Sequence, residues 1–241
     1  MTGAEIVVML AAVLVASTAQ YTAGFGFSLL SVPVMALALD THDAVIVATW
    51  LGLLASGYQV IESHRSVDWS TARRLLIGTL IGIPVGLVFF TQVAESTLRL
   101  VLGVSVLIAT FVLARDFRLT RPGTGPEWIA GAVSGALASS LSTNGPPLVF
   151  VLQARRMPIV SFRATLSLVF TVANAASLVG FLGTGELDAD VSIHSALGIP
   201  CLVIGVAVGS RLRRRVTEES ARHLVIGLLA LAGVSAIVAA I

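Results

Sequence analysis

The sequence predicts an all-α integral membrane protein, built as an inverted repeat in which each half is a broken, re-entrant helical hairpin followed by three transmembrane helices. Composition is the first observation behind this fold class: 56% of the 241 residues are hydrophobic and 12% are charged. A soluble domain carries about twice that charge. The other two observations are two apolar segments interrupted in the same way and a strong asymmetry in where arginine falls.

Eight apolar segments follow one another along the chain, and no connection between them is long enough to form a soluble domain. Six have the length of a single crossing, which takes about 20 residues. The first is far too long for one crossing, and the fifth is interrupted by small and polar residues. The eight segments are 4–39, 43–61, 75–90, 98–114, 128–152, 165–183, 193–210 and 224–241.

The two interrupted segments resemble each other. Gln20–Pro33 and Ser134–Pro147 lie 114 residues apart, and both place Gly, Pro and small polar residues inside an apolar run. Non-helical backbone is tolerated at membrane depth only where it is buried in protein or lines a cavity. Matched interruptions in two halves of a chain indicate a transporter's binding site. Taken singly, each interruption has an alternative explanation as a helix-packing motif, because small residues let membrane helices touch.

Arginine supplies the chain's basic charge and predicts its topology. There are 15 Arg and no Lys, and 14 of the Arg fall in four connections, 62–74, 115–127, 153–164 and 211–223. If each segment crossed once, Arg would divide 9 against 6 between the two sides, whereas two re-entrant hairpins give 14 against 1. The positive-inside rule favours the hairpins. The same placement in short loops means that the basic pI does not indicate nucleic-acid binding.

The hairpin topology divides the chain into two repeats of opposite orientation. Residues 1–121 form the first repeat and residues 122–241 the second. The protein is expected in the cytoplasmic (inner) membrane, with both termini on its outer side. Local similarity supports the duplication, because Ile81–Pro84 matches Leu197–Pro200. The returning arm of the first hairpin, 27–39, is roughly 20 Å long as a helix, so it reaches about mid-membrane.

The chemistry at the two hairpin tips suits an anion. A helix N-terminus exposes backbone N–H donors and partial positive charge, and two inverted hairpins bring two such ends together. Glycines allow close approach, hydroxyl and amide side chains add neutral donors, and Pro146 and Pro147 fit the first turn of a helix. The predicted substrate-binding residues are Gln20, Tyr21, Gly24, Gly26, Phe27, Ser28, Ser140, Ser142, Thr143, Asn144, Gly145 and Asn174.

At these residues the chain resembles the sulfite exporter TauE/SafE family of membrane transporters. The resemblance is carried by Ala23–Pro33, by Asn144–Val149 and by the Arg-bearing connection Arg155–Arg163 that follows. It covers nearly the whole chain. The family usually has more glycine in both motifs. Here Phe25, Phe27 and Ser28 take some of those places in the first motif, and Ser142–Asn144 does so in the second. The resemblance implies transport of small anions such as sulfite, sulfoacetate or related organic acids.

The sequence therefore predicts a secondary transporter of small anions that works by alternating access, with no cofactor and no metal. An anion channel is the nearest alternative. An intramembrane enzyme is a weaker one, because no HExxH motif occurs and the His and Asp residues lie at the ends of spans. The expected partners are a small anion and the lipid bilayer, without nucleic acid; a coupling ion (H+ or Na+) and a homodimer are left open.

Overall fold

The structure, a computed structural model, describes residues 2–114, 124–155, 157–187, 189–213, 215, 226–232 and 234. Within those residues the chain is helical and contains no strand. Five helices are long and apolar enough to cross a membrane, namely α1, α3, α4, α8 and most of α9. The predicted all-α membrane fold is confirmed. The helices are α1 (Gly3–Ala23), α2 (Phe27–Met35), α3 (Thr41–Ser63), α4 (Trp69–Gln92), α5 (Glu95–Ala114), α6 (Gly125–Leu141), α7 (Gly145–Ala154), α8 (Ile159–Thr184) and α9 (Ala189–Arg213).

The helices extend beyond the apolar segments that predict them. Helix α4 begins at Trp69 rather than near residue 75, because the Asp68 carboxylate accepts hydrogen bonds from the backbone N–H groups of Ser70 and Thr71 and caps the helix. A polar first turn of this kind is not predicted by hydropathy, because its residues are not apolar. The last predicted span, 224–241, lies mostly outside the described residues, although 226–232 is helical.

Both interrupted segments are helix–break–helix hairpins. Gly24 caps the end of helix α1 and Ser142 caps the end of helix α6, and both residues have left-handed backbone, with φ of 95° and 56°. These ends lie 118 residues apart rather than 114, so the breaks do not follow the alignment of the prolines. Pro146 and Pro147 occupy the first turn of α7 as predicted, whereas Pro33 lies inside α2.

The two arms of each hairpin differ in length. The returning arms α2 and α7 have 9 and 10 residues. At 1.5 Å per residue each is about 15 Å long, half the thickness of a bilayer's hydrocarbon core. Helix α1, with 21 residues, is long enough to cross the membrane.

The largest helix contacts join the two halves of the chain, and α3 and α8 pack against each other. Helix α1 packs most closely on α9, and α6 on α4, so the first arm of each hairpin lies against a helix from the other half of the chain. Small residues make the contact. A Cβ on Gly82 of α4 would lie 1.9 Å from the Ala132 carbonyl oxygen, and one on Gly205 of α9 would lie 1.8 Å from Ser17 Oγ.

A buried carboxylate holds one end of the second hairpin. Glu127, in the first turn of α6, has no exposed side-chain surface and forms ion pairs with Arg74 of α4 and with Arg155 just after α7. Its partners are only about one-fifth exposed. On the sequence, Arg74 and Arg155 count only as topology markers; the structure gives both a specific partner. Arg99, the exception to the arginine asymmetry, pairs with Glu95 at 2.6 Å.

Candidate functional site

A small cavity lies where the two breaks meet. Its volume is about 20 Å³, and both hairpins contribute to its wall together with the middles of α3 and α8. That volume is enough for about one water molecule. Twelve residues line it: Gln20, Gly26, Phe27, Ser28, Leu29, Gly52, Ser142, Thr143, Asn144, Gly145, Phe170 and Asn174.

Hydrogen bonds between side chains join the two breaks directly. Ser142 Oγ, at the end of α6, donates to Ser28 Oγ in the first turn of α2 at 3.0 Å. The hydroxyl of Thr49, from α3, donates to the same Ser142 oxygen at 3.2 Å. Ser134 Oγ donates to the Asn144 carbonyl at 2.9 Å and so fixes the second break from within α6. The breaks are therefore bonded to each other and to the central helix.

Gln20 closes the first break from the end of α1. Its Oε1 accepts a hydrogen bond from the backbone N–H of Phe27 at 3.1 Å, so it satisfies one of the N–H groups at the start of α2 that lack a helical partner. Gly26, which precedes α2, has a φ of 107°. That left-handed conformation favours glycine, because other residues would be strained there.

Three polar atoms on the cavity residues have no hydrogen-bond partner. They are Thr143 Oγ1, Asn144 Nδ2 and Asn174 Oδ1, on side chains that are 1%, 7% and 4% exposed. Buried polar groups in proteins are nearly always paired, and leaving one unpaired costs about 1–3 kcal/mol. Three such atoms around one cavity indicate a place where a polar ligand supplies the missing partners.

The structure brings nine of the twelve sequence-predicted residues to the cavity wall and places three elsewhere. The Tyr21 hydroxyl donates to the Glu62 carboxylate at the end of α3. Gly24 faces the side chain of Arg163. Ser140 Oγ donates to the Ala136 carbonyl of its own helix at 2.6 Å.

Three wall residues are not among the sequence predictions, namely Leu29, Gly52 and Phe170. Gly52 is the midpoint of α3, and a Cβ there would lie 3.0 Å from Asn174 Nδ2 and 3.5 Å from Ser28 Oγ. A lone glycine inside an apolar span carries no distinguishing signal, because glycine is common wherever membrane helices touch. Only the packing of α3 against α8 makes Gly52 part of the site.

Comparison with known proteins agrees with this architecture. A family model described as "Sulfite exporter TauE/SafE" matches residues 9–236. A "Probable sulfite/organosulfonate exporter TauE" from Cupriavidus necator is 28% identical, over 92% of this chain and 90% of its own length. A "Probable inner membrane transporter protein TsaS" from Comamonas testosteroni is 28% identical, over 72% of this chain and 74% of its own length. No solved structure matches the chain.

The family match extends from residue 9, within α1, to beyond the last described helical residue, so it includes both breaks and the cavity between them. Members of this family are membrane transporters and not enzymes, and the apolar helices described above fit a multi-pass membrane protein. The chain therefore belongs to the sulfite exporter TauE/SafE family of membrane transporters.

Proposed function

We propose that this protein carries small sulfur oxyanions, sulfite or an organosulfonate such as sulfoacetate, across the cytoplasmic membrane, and that it binds them in the cavity between the breaks. The observation that carries the proposal is the set of unpaired buried atoms on Thr143, Asn144 and Asn174. A hydroxyl and a primary amide donate hydrogen bonds to an oxyanion, and the Asn174 amide exchanges its oxygen and nitrogen by a half-turn. The name of the Cupriavidus necator relative supports the substrate class.

The charge of the wall supports selection of an anion. Among the residues that the structure describes, no Asp, Glu or Arg lines the cavity, so its donors are neutral. Two helix N-termini, those of α2 and α7, add partial positive charge. Pro146 and Pro147 have no N–H, so the α7 side has fewer backbone donors than the α2 side, and the side chains of Thr143 and Asn144 add donors there. Neutral donors bind an anion without the cost of burying a full positive charge in the membrane.

The size of the cavity supports a carrier that works by alternating access. At about 20 Å³ the site is too small for an oxyanion with three or more heavy atoms, so substrate has to widen it. A carrier that changes shape around its substrate would widen such a narrow site, whereas a conducting channel needs a continuous path.

The packing of the helices supports the inverted repeat that alternating access would use. The ends of α1 and α6, and the starts of α3 and α8, are each separated by 118 residues. The crossed pairs are related in the same way, because α1 lies on α9 as α6 lies on α4. If each helix of one half is replaced by its counterpart in the other half, the same helix pairs result. Two repeats, 1–121 and 122–241, would require this.

A flux assay in proteoliposomes tests the proposal. We expect purified protein to carry sulfite and sulfoacetate with saturable kinetics and counterflow. Asn144→Ala should lower flux about tenfold or more, because a hydrogen bond to a charged group contributes about 1.5–3 kcal/mol. Ser28→Ala should also lower it. Ser105→Ala is the matched control, since Ser105 Oγ bonds only the Leu102 carbonyl of α5. Absence of flux for any small anion would contradict the proposal, and unsaturable conductance would favour a channel.

Cysteine labelling tests the proposed topology, in which both termini lie outside. After Cys201→Ser, single cysteines are introduced within 116–126 and within 184–191. We expect an impermeant reagent to label the first only from the cytoplasmic side and the second only from outside. Labelling of both from one side would contradict the inverted repeat.

A further inference from the structure

A groove between α1, α3 and α9 opens on the surface of the protein. Its volume is about 820 Å³, and pockets that hold small molecules measure about 300–1,000 Å³. Leu54 of α3 and Val203 of α9 line it and are 41% and 59% exposed, so the groove faces the surrounding lipid rather than the interior. Among the residues that the structure describes, it shares no lining residue with the cavity between the breaks.

The last turns of three helices meet at one end of this groove. A Cβ on Gly205 of α9 would meet Ser17 Oγ of α1. One turn later, a Cβ on Gly209 would lie 2.9 Å from Tyr21 Cβ, so the two helices run side by side in the same direction. The centroid of the Tyr21 ring lies 6.2 Å from that of the Tyr58 ring, which brings the last turns of α3 to the same end.

The groove is polar at that end and aliphatic elsewhere. In the described part of the chain, its polar lining residues are Tyr21, Tyr58, Glu62, Ser210 and Arg211. Every other described lining residue is Leu, Ile, Val or Ala. A phospholipid has the same division, because its charged groups lie at one end and its hydrocarbon chains make up the rest.

The length of the groove matches one leaflet of a bilayer. Its lining on α9 runs from Ile199 to Arg211, which are 12 residues apart, or about 18 Å along a helix. One leaflet of the hydrocarbon core is about 15 Å thick. The polar end adjoins the Arg-bearing connections 62–74 and 211–223. An acyl chain that follows the aliphatic wall would therefore end with its headgroup beside Glu62 and Arg211.

Glu62 and Arg211 carry opposite charges at the polar end of the groove. The Glu62 carboxylate accepts from the Tyr21 hydroxyl, and a carboxylate accepts about four hydrogen bonds. Arg211 Nη1 donates to the Ala207 carbonyl at 3.0 Å, and a guanidinium has several further N–H donors. Both residues are exposed. An ammonium and a phosphate joined by a short linker complement this pair of charges.

We propose that this groove binds a phospholipid whose zwitterionic headgroup has a primary ammonium, that is, phosphatidylethanolamine. Its phosphate accepts hydrogen bonds from Arg211 and Ser210, its ammonium donates to the Glu62 carboxylate, and one acyl chain follows the aliphatic wall. The Tyr58 ring, which is 47% exposed, offers its face to the ammonium. This inference goes beyond the proposed function and is independent of the anion that the protein carries.

The choice of headgroup follows from the carboxylate of Glu62. Phosphatidylglycerol has a phosphate without a cation, so it would bring an uncompensated negative charge next to Glu62. Phosphatidylcholine has the same net charge as phosphatidylethanolamine, but its quaternary ammonium has no N–H to donate. We therefore expect both lipids to contact Arg211 through their phosphate and to lack the hydrogen bond to Glu62.

Native mass spectrometry of the full chain measures lipid retention directly. Purified, delipidated protein in detergent is mixed with phosphatidylethanolamine, phosphatidylcholine or phosphatidylglycerol, each with identical acyl chains, and the lipid-bound fraction is read from the spectrum. We expect phosphatidylethanolamine to be retained roughly fivefold better than either of the other lipids, which is the upper range for an exposed ion pair.

Charge variants separate the two contacts with the headgroup. Glu62→Gln should abolish the preference for phosphatidylethanolamine over phosphatidylcholine, although a glutamine still accepts from the Tyr21 hydroxyl. Arg211→Gln should lower the retention of all three lipids by roughly threefold to fivefold, because all three have a phosphate. Arg73→Gln is the matched control. Arg73 is an exposed residue near the start of α4 that does not line the groove, and we expect a change below about twofold.

Two tryptophan variants on α9 test the position of the acyl chain. Val203→Trp fills the groove, whereas Ile204, which is 54% exposed, lies outside the groove lining and makes Ile204→Trp the control. Both side chains face lipid, so we expect both variants to fold. Val203→Trp should lower the retention of all three lipids at least about fivefold, because each CH₂ group that loses its contact weakens binding. Ile204→Trp should change it less than about twofold.

Several outcomes would overturn the inference. Equal retention of the three lipids would mean that the groove does not recognise a headgroup, and preferential retention of phosphatidylglycerol would mean a site for anionic lipid. Loss of a dimer in Val203→Trp with unchanged lipid retention would make the groove an interface between two copies of this chain. No retained lipid would mean that another part of the chain covers the groove. None of these outcomes depends on flux, so the proposed function and the lipid site can fail separately.

Discussion

Gly52→Ala adds a single methyl group at the point where α3 faces the cavity. The new Cβ would lie 3.0 Å from Asn174 Nδ2, 3.5 Å from Ser28 Oγ and 3.7 Å from Phe27 Cδ1. A comfortable contact is about 3.5–4.0 Å, so the Asn174 amide has to move by roughly half an ångström. The methyl group also takes up much of a cavity of about 20 Å³. Substrate and methyl group then compete for one space.

The effect on folding should be small, because two terms oppose each other. Replacing Gly by Ala inside a helix stabilises it by about 0.5–1 kcal/mol. Mild overpacking against a buried side chain costs about 1–3 kcal/mol. The effect on transport should be large, since a displaced ligand-binding group and a filled site together cost at least about 1.4 kcal/mol of binding, a factor of ten. We therefore expect flux to fall tenfold or more while the unfolding temperature changes little.

The matched control is Gly57→Ala, on the same helix. A Cβ on Gly57 meets nothing within 4 Å, so the variant gains helix propensity without touching the site. Proteoliposome flux of sulfite and thermal unfolding in detergent are measured for both variants. Normal flux in Gly52→Ala, or an equal loss of flux in both variants, would refute the assignment of the site to this cavity.

Three further substitutions test the fold that supports the site. Glu127→Gln removes the shared partner of Arg74 and Arg155 and should lower the free energy of unfolding by about 3–5 kcal/mol. The unfolding temperature should therefore fall below that of the control variant Glu186→Gln. An unchanged temperature would mean that the buried ion pairs do not stabilise the hairpin. Gly82→Ala drives a methyl group into the Ala132 carbonyl and should prevent stable folding, so a well-folded variant would contradict the close packing of α4 on α6. Burial raises the pKa of Asp68, but hydrogen bonds from Ser70 and Thr71 outweigh it and hold the pKa below its usual value. The stabilisation of the protein by the charged Asp68 cap is therefore present above about pH 4 and is lost as pH falls through the lowered pKa. Asp68→Ala should lower the free energy of unfolding by about 1 kcal/mol at pH 7. It should also weaken the loss of stability in acid, measured as unfolding temperature against pH.

Much of the fold could be read from the chain because lipid restricts the choices. Backbone polar groups must be satisfied within each segment, so apolar stretches become helices and interruptions become breaks. Arginine position then favours re-entrant hairpins over simple crossings, which stays a prediction. The helix ends were less predictable, since capping groups such as Asp68 lie outside the apolar windows.

The residues of the candidate site also differ in how well the sequence predicts them. Residues such as Asn144 and Ser142 can be recognised in the sequence, because polar and small residues beside proline in an apolar run have few other uses. Gly52 carries no such signal, since glycine inside a span is ordinary in membrane proteins. Tyr21 shows the opposite case: it adjoins break one in sequence, yet its hydroxyl is committed to Glu62.

By itself, then, the sequence determined the membrane class and the two breaks, because these follow from local composition and from the cost of exposing backbone to lipid. Tertiary structure alone decided which residues meet. The crossed packing of α1 on α9 and of α6 on α4, and the contact of α3 with α8, depend on shape matching between distant segments. That packing leaves Thr143, Asn144 and Asn174 buried and unpaired around one small cavity.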